Sequence, residues 1–294
     1  MTAQTELVKV MQERVLRLGE IFKYSFELLN ERFSSFFILT ILVYLPVNFV
    51  LQYAVMQVDV SVTDIELLAM EMMDVGIVQI VLSFLELVAV VVTGVMVHSQ
   101  VFTQDGLNFG TVFYRGVRGW LKAAMSIMVI MLGMMMSILS LSMMIMLPGM
   151  GILMLPILLV LMLLYYLMQC CCCNVAALRG YWGIRNVRYV SIVLKGYMRK
   201  ALGYTAVILL VSGGISMVLN ILLSNLLGYI SEQWMALGIS VLCSTLFSVM
   251  TVFGYAAVSL VFFNIEEKKR HDFEVARQRN ENQNPQGKDT ELNG

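Results

Sequence analysis

Six long apolar runs constrain the fold of this chain more than any other feature of its sequence. A bilayer core about 30 Å thick is crossed by about 20 apolar residues in an α-helix. The runs meet that length, at residues 36–56, 75–97, 123–147, 152–173, 201–223 and 235–263. Only 14% of the 294 residues are charged, whereas soluble domains carry about a quarter charged residues. The sequence therefore predicts an all-α membrane protein, with six transmembrane helices within residues 35–263.

The distribution of lysine and arginine predicts how these helices are oriented. All 20 basic residues lie in four segments: the N-terminal arm, the connections after the second and fourth runs, and the residues after the sixth. The other three connections contain only acidic charges, at Asp59, Asp64, Glu66, Glu71, Asp74 and Glu232. Lysine and arginine are retained on the cytosolic side of a membrane. We therefore expect three transmembrane hairpins in the plasma (inner) membrane, with both termini in the cytosol.

A basic, partly apolar segment precedes each expected hairpin. Residues 1–34 are predicted to form one cytosolic amphipathic helix, because apolar residues recur there at intervals of three and four. Residues 113–122 and 188–200 precede the second and third hairpins with similarly placed aromatic residues, a pattern typical of a degenerate threefold repeat. Such helices lie in the plane of the headgroups. Residues 264–294 form a charged cytosolic tail, expected to be disordered from about residue 280 because it is polar.

The chain resembles bacterial membrane proteins of the glycerophosphoryl diester phosphodiesterase membrane-domain type and their YciC-like relatives. The resemblance covers residues 14 to about 275 and is clearest in the segment FGYAAVSLVFFNIEEKKRHDFE. The matching features are an aromatic pair, a charged run and an acidic–aromatic tail: Phe262, Phe263, Lys268, Lys269, Asp272 and Glu274. Asn264 stands where many relatives have aspartate, and Glu266 where many have a basic residue. The resemblance implies a six-helix bacterial inner-membrane protein without phosphodiesterase activity, since that chemistry belongs to a separate soluble domain.

Glu86 is the one charged residue at the middle of an apolar run. Ionisable residues inside a membrane mark functional sites by default, because burying them is costly. Asn48 and Gln52 lie at a similar depth in the first run, beside Pro46. One hypothesis is that this polar cluster binds a proton or small solute in a transporter. The alternative is a structural helix–helix hydrogen bond, worth about 0.6–2 kcal/mol.

Methionine and cysteine side chains raise a second alternative, the handling of Cu(I) or another soft metal. Four consecutive cysteines lie at the end of the fourth run: Cys170, Cys171, Cys172 and Cys173. They point about 100° apart on a helix and cannot converge on one ion, although they could be acylated. Methionine also fills irregular apolar gaps, so we expect no metal site. The third run holds nine of the 24 methionines: Met125, Met128, Met131, Met134, Met135, Met136, Met143, Met144 and Met146.

The connection after the fourth run is the most basic part of the chain. Each basic residue near an anionic bilayer surface adds about 1 kcal/mol of attraction. The segment therefore either contacts anionic lipid or serves only as an orientation signal. Its basic residues are Arg179, Arg185, Arg188, Lys195, Arg199 and Lys200.

The sequence contains no motif that predicts an enzyme. It has no H-E-x-x-H, G-x-S-x-G or phosphate-binding glycine loop. Gly213 and Gly214 instead indicate close helix packing. We therefore expect a non-enzymatic accessory or scaffold protein in envelope or lipid homeostasis, without cofactor or metal. Its expected partners are the bilayer and anionic headgroups, not nucleic acid, and another membrane protein or a second copy stays open.

Overall fold

The computed structural model describes residues 3–58, 65–103, 108–145, 150–227 and 232–283. These residues form nine α-helices joined by turns, with no strand among them. Three helices are short: α1 (Ala3–Glu13), α2 (Leu18–Glu31) and α7 (Gly183–Leu194). Six are long: α3 (Phe33–Met56), α4 (Ile65–Phe102), α5 (Phe109–Ile145), α6 (Met150–Arg179), α8 (Met198–Leu227) and α9 (Gln233–Gln283).

The six long helices confirm the prediction of six apolar spans. Each contains a stretch that is long and apolar enough to cross a membrane. The last helix is longer than predicted, because α9 continues through the charged residues 264–283 without a break. The disorder expected from about residue 280 falls partly on this helix, and residues 284–294 lie outside the described part of the chain.

The N-terminal arm forms two helices where the sequence pattern predicted one. α1 ends at Glu13, and Arg17 is extended (φ −77°, ψ 156°) before α2 begins. The Glu20 carboxylate accepts hydrogen bonds from the Arg17 backbone N–H at 2.7 Å and from both terminal nitrogens of Arg14. Leu16, at the turn, is fully buried. The break therefore keeps the apolar side chains inward on both sides, which is why periodicity does not reveal it.

The two other basic segments differ from each other. Residues 113–122 belong to the continuous helix α5, so the separate interfacial helix predicted there is absent. The third segment does contain a separate helix, α7, which starts earlier than predicted. A turn at Gly196, whose φ of 90° favours glycine, separates it from α8. Separate short helices thus precede a long helix at two of the three predicted positions, α1–α2 and α7.

The centre of the bundle is formed by α4 and α9, the two most buried of the long helices. Gly94 on α4 receives the carboxamide of Asn174 from α6, and a side chain at Gly94 would overlap it. Asn174 Nδ2 donates to Ser259 Oγ on α9 at 3.1 Å. One buried amide therefore joins three helices, and the missing glycine side chain makes room for it.

Close approaches between helices occur at other glycines than the sequence indicated. On α5, Gly116 packs against Val92 of α4, and a Cβ on Gly119 would stand 2.8 Å from the Cα of Ala177 on α6. Gly213 and Gly214 face open space. The prediction that this glycine pair mediates close packing was wrong.

One end of the bundle, called here the basic end, carries α1, α2, α7, the start of α5 and residues 264–283 of α9. Asn264 of α9 binds the turn between α1 and α2, since its Oδ1 accepts from the Leu16 N–H at 2.7 Å. Lys269 Nζ donates to the Ile192 and Lys195 carbonyl oxygens at 2.8 and 2.6 Å. These bonds satisfy the last carbonyls of α7, where a positive charge also complements the helix dipole.

Candidate functional site

Glu86 lies on α4 and is half-buried. Its carboxyl group is within electrostatic range of the phenol groups of Tyr44 on α3 and Tyr255 on α9. The ring of Tyr255 stacks on Tyr166 of α6, with centroids 5.6 Å apart. Tyrosines from two other helices therefore lie near Glu86, and a third tyrosine packs on one of them. Tyrosine hydroxyls can donate hydrogen bonds to a carboxyl group in either protonation state.

Asn48 and Gln52 lie on α3. Asn48 Nδ2 donates to Thr245 Oγ1 of α9 at 3.3 Å. Gln52 lines a cavity of about 550 Å³ between α3, α8 and α9, at the end of α3 away from the basic end. The other polar residues lining this cavity are Asn220, Ser240 and Ser244. Of the three residues proposed as one cluster, Glu86 lies near tyrosines, Asn48 is bonded to Thr245, and Gln52 lines this cavity.

The methionines of α5 do not share one environment. Met131, Met134 and Met135 line an almost wholly apolar cavity of about 680 Å³ between α5, α6 and α8. Met125 and Met128 are exposed on the surface of the helix. The side chains of Met143, Met144 and Met146 lie outside the described part.

The four consecutive cysteines are fully buried on α6. The backbone carbonyl of Cys172 accepts a hydrogen bond from Asn186 Nδ2 of α7 at 2.8 Å. The same Nδ2 donates to Ser126 Oγ of α5 at 2.9 Å. The cysteine segment therefore helps to hold α7 against α5 and α6, because a buried amide must find partners.

The outer face of α7 combines basic and apolar side chains. Ile184 and Ile192 are 73% and 58% exposed. Arg185 and Arg188 are exposed too, three residues apart on one side of the helix, and Lys195, which follows the helix, is also exposed. Trp182, which precedes the helix, is 57% exposed. Exposed isoleucine and tryptophan beside arginine and lysine is typical of a helix at a membrane–water interface.

The remaining basic residues predicted to contact lipid lie around α7. Arg179, at the end of α6, forms an ion pair with Glu266 at 3.2 Å. Arg199 is exposed at the start of α8, and Lys200 lies 5.5 Å from the ring centroid of Tyr204. The guanidinium of Arg185 stacks over the ring of Tyr181 at 4.5 Å. All six predicted residues therefore reach the surface of the basic end.

Two acids of α9 organise the inner side of the basic end. Glu266 accepts a hydrogen bond from the Tyr189 hydroxyl of α7. Burial, together with this bond to a carboxylate, raises the pKa of Tyr189 above its ordinary value. Glu267 is 5% exposed and accepts from Gln12 Nε2 of α1 at 2.8 Å and from Arg270 at 2.7 Å. The helices of the basic end are thus bound to α9 by directional hydrogen bonds as well as by apolar packing.

No protein-family model, curated protein or solved structure matches this chain.

Sequence patterns did not identify the tyrosines beside Glu86, or Asn174, Asn186 and Asn264. Each of these asparagines is fully buried, and all bind groups on other helices. The sequence does contain a signal for Asn174 and Asn264: each directly follows a long apolar run, and an isolated asparagine there must find a hydrogen-bond partner. The partner itself is not visible, since it lies 85 residues away for Asn174 and 248 for Asn264.

Proposed function

We propose that this chain is a non-enzymatic membrane protein that acts as an accessory or scaffold component in envelope or lipid homeostasis. It spans the plasma membrane six times, with both termini in the cytosol, and its basic end contacts anionic lipid headgroups. The outer face of α7 is the observation that supports this function best. It presents exposed isoleucines and basic residues together, while its inner face is fixed by Asn186 and Lys269.

The fixed position of α7 favours lipid contact over a pure orientation signal. A signal that acts only during insertion requires charge but no folded surface. Here the helix is bound to α5, α6 and α9. A helix held in this way loses little conformational freedom on contact with a bilayer, so more of the attraction remains as binding free energy.

The test is to reconstitute the protein in nanodiscs that contain phosphatidylcholine and phosphatidylglycerol, and to count retained lipids by native mass spectrometry. We expect enrichment of phosphatidylglycerol, reduced about fivefold for each charge removed in Arg185→Gln and Arg188→Gln. Lys23→Gln on α2 is the control, because Lys23 is already beside Glu27 at 3.9 Å. Equal enrichment in all variants would show that the outer face of α7 does not select anionic lipid.

A small-solute or proton transporter is the second candidate, favoured by the polar cavity at Gln52 and the tyrosines beside Glu86. A transporter should lose uptake in Glu86→Gln, which keeps the shape of the side chain but cannot ionise. If Glu86→Gln is produced normally and cells show no change in uptake or resistance, the carboxyl group is structural.

A further inference from the structure

A second group of basic residues surrounds a cavity that lies beside α7 but does not include it. The cavity has a volume of about 460 Å³ and lies between α5 and the end of α6. Arg115, Arg118 and Lys122 line it from α5, at a spacing of three and four residues that places them on one helical face. Arg179 lines it from α6.

The cavity is shaped by the close approach of the two helices and by the turn that ends α6. Gly119 lies against Ala177, so the helices nearly touch at the base of the cavity. α6 ends at Gly180, whose φ of 69° is the left-handed conformation common after a helix. A Cβ at Gly180 would stand 3.4 Å from Lys122 Nζ, which places the ammonium group at this turn.

The charge in the cavity is positive and largely uncompensated. Within the described residues, no acidic side chain forms an ion pair with Arg115, Arg118 or Lys122. Arg179 is compensated by Glu266 at 3.2 Å. The carboxyl end of α6 contributes roughly half a negative charge. Between two and three positive charges therefore remain, which a dianion neutralises better than a monoanion.

The chemistry of these groups favours phosphate as the anion. Guanidinium groups bind phosphate oxygens through paired N–H donors, and an ammonium group adds a point charge. The apolar side chains next to them on α5 are exposed: Tyr114 (67%), Val117 (41%) and Leu121 (64%). These side chains provide a surface for acyl chains beside a cavity of headgroup size.

We propose that this cavity binds the phosphomonoester headgroup of a membrane lipid, a dianion, in preference to singly charged phosphodiester headgroups. This inference rests on the proposed function, because it specifies which anionic lipid the basic end selects. It assigns a role to Arg115, Arg118 and Lys122, whereas the general contact depends on α7.

The experiment uses the full chain in phosphatidylcholine nanodiscs with equal amounts of phosphatidylglycerol and phosphatidic acid, and native mass spectrometry counts each bound lipid. We expect phosphatidic acid to be preferred, and the preference to fall about fivefold in Lys122→Gln and again in Arg118→Gln. Lys122→Arg should retain it. Lys9→Gln on α1 is the matched control, because it removes one exposed lysine from the same end outside the cavity.

Each outcome decides the assignment. Equal binding of the two anionic lipids, or equal effects of Lys122→Gln and Lys9→Gln, would overturn it, even if phosphatidylglycerol remains enriched over phosphatidylcholine through α7. If the wild type showed no enrichment of either anionic lipid over phosphatidylcholine, the proposed function would be overturned as well. A parallel titration with inorganic phosphate separates the sources. Binding of free phosphate at the cavity without retained phosphatidic acid would overturn the lipid assignment.

Discussion

At the scale of single residues, buried asparagines hold this bundle together. Asn174 fills the space above Gly94 and donates to Ser259, so its position is fixed from both sides. Lipid tails are as apolar as leucine, so helices in a bilayer gain little from burying apolar surface against each other. Packing around small residues and directional hydrogen bonds must supply the specificity instead, and the Gly94–Asn174 pair supplies both.

The substitution Gly94→Ala tests this pair. A methyl group at residue 94 must displace the Asn174 carboxamide and break its bond to Ser259, which leaves buried polar groups unpaired. We expect a loss of about 1–3 kcal/mol of stability, measured as a lower thermal unfolding midpoint in detergent. Gly133→Ala is the control, since nothing lies within 4 Å of that position. Equal midpoints for the two variants would contradict the expectation.

A second prediction concerns Asn264, which uses both ends of its amide. Its Oδ1 accepts from the Leu16 N–H, and its Nδ2 donates to the Met11 and Arg14 carbonyl oxygens at 3.3 and 3.2 Å. Asn264→Asp keeps the shape but removes both donated bonds and faces two carbonyl oxygens with a carboxylate. We expect α1 to detach, seen as faster hydrogen exchange in residues 3–16.

The control for this change is Asn220→Asp, because Asn220 is exposed and donates within its own helix, to the Ser216 carbonyl at 3.0 Å. Unchanged exchange in α1 of Asn264→Asp would show that apolar packing alone holds the helix.

At the scale of helices, we expect the stability of the corner between α1 and α2, the turn at residues 14–17, to depend on pH. Arg14 and the Arg17 backbone lower the pKa of Glu20 to about 2. A carboxylate with a lowered pKa stabilises the fold above its ordinary pKa of 4.5, and this contribution is lost as the pH falls toward 2. The pair is partly exposed, so the effect is small and screened by salt.

We therefore expect Glu20→Gln to lower the thermal unfolding midpoint at pH 6, with the difference from wild type shrinking as the pH is reduced from 4.5 to 2.5. Glu27→Gln, which removes a longer contact to Lys23 at 3.9 Å, is the comparison. A constant difference between wild type and Glu20→Gln across this range would mean that the ion pair does not stabilise the corner.

Helix content could be predicted from the sequence because a bilayer restricts the backbone conformations that an apolar segment can adopt. Every backbone polar group in the hydrocarbon must be satisfied within the segment, which favours a helix. Length and apolarity alone therefore located all six long helices. The break at Arg17 and the continuous start of α5 could not be predicted, since each depends on contacts with distant residues such as Asn264 and Ala177.

The candidate site was only partly visible for a related reason. Glu86 stands out because a lone acid in an apolar run is rare, but the tyrosines near it, Tyr44 and Tyr255, come from two other helices. The basic cavity was hidden because its residues belong to two segments that look like ordinary orientation signals. Single-sequence patterns describe one helix at a time, whereas sites are formed between helices.

At the scale of the whole molecule, the proposed orientation can be tested by labelling. Cysteines introduced at Glu232 and Arg188 should react differently with a membrane-impermeant maleimide added to intact cells. We expect Glu232→Cys to be labelled directly, and Arg188→Cys only after the membrane is opened. The wild type sets the background, because Cys170 to Cys173 are buried and Cys243 is partly buried. Labelling of Arg188→Cys in intact cells would reverse the topology.

The unbroken length of α9 has a mechanical consequence. Its 51 residues form a rod about 76 Å long, more than twice the thickness of a bilayer core. The portion from Asn264 to Gln283 extends about 30 Å from the apolar stretch. A change of about 10° in the tilt of the membrane span would therefore displace Gln283 by about 5 Å. Lys269 is bonded to α7, so the same rotation would pull on the helix that we propose contacts lipid headgroups.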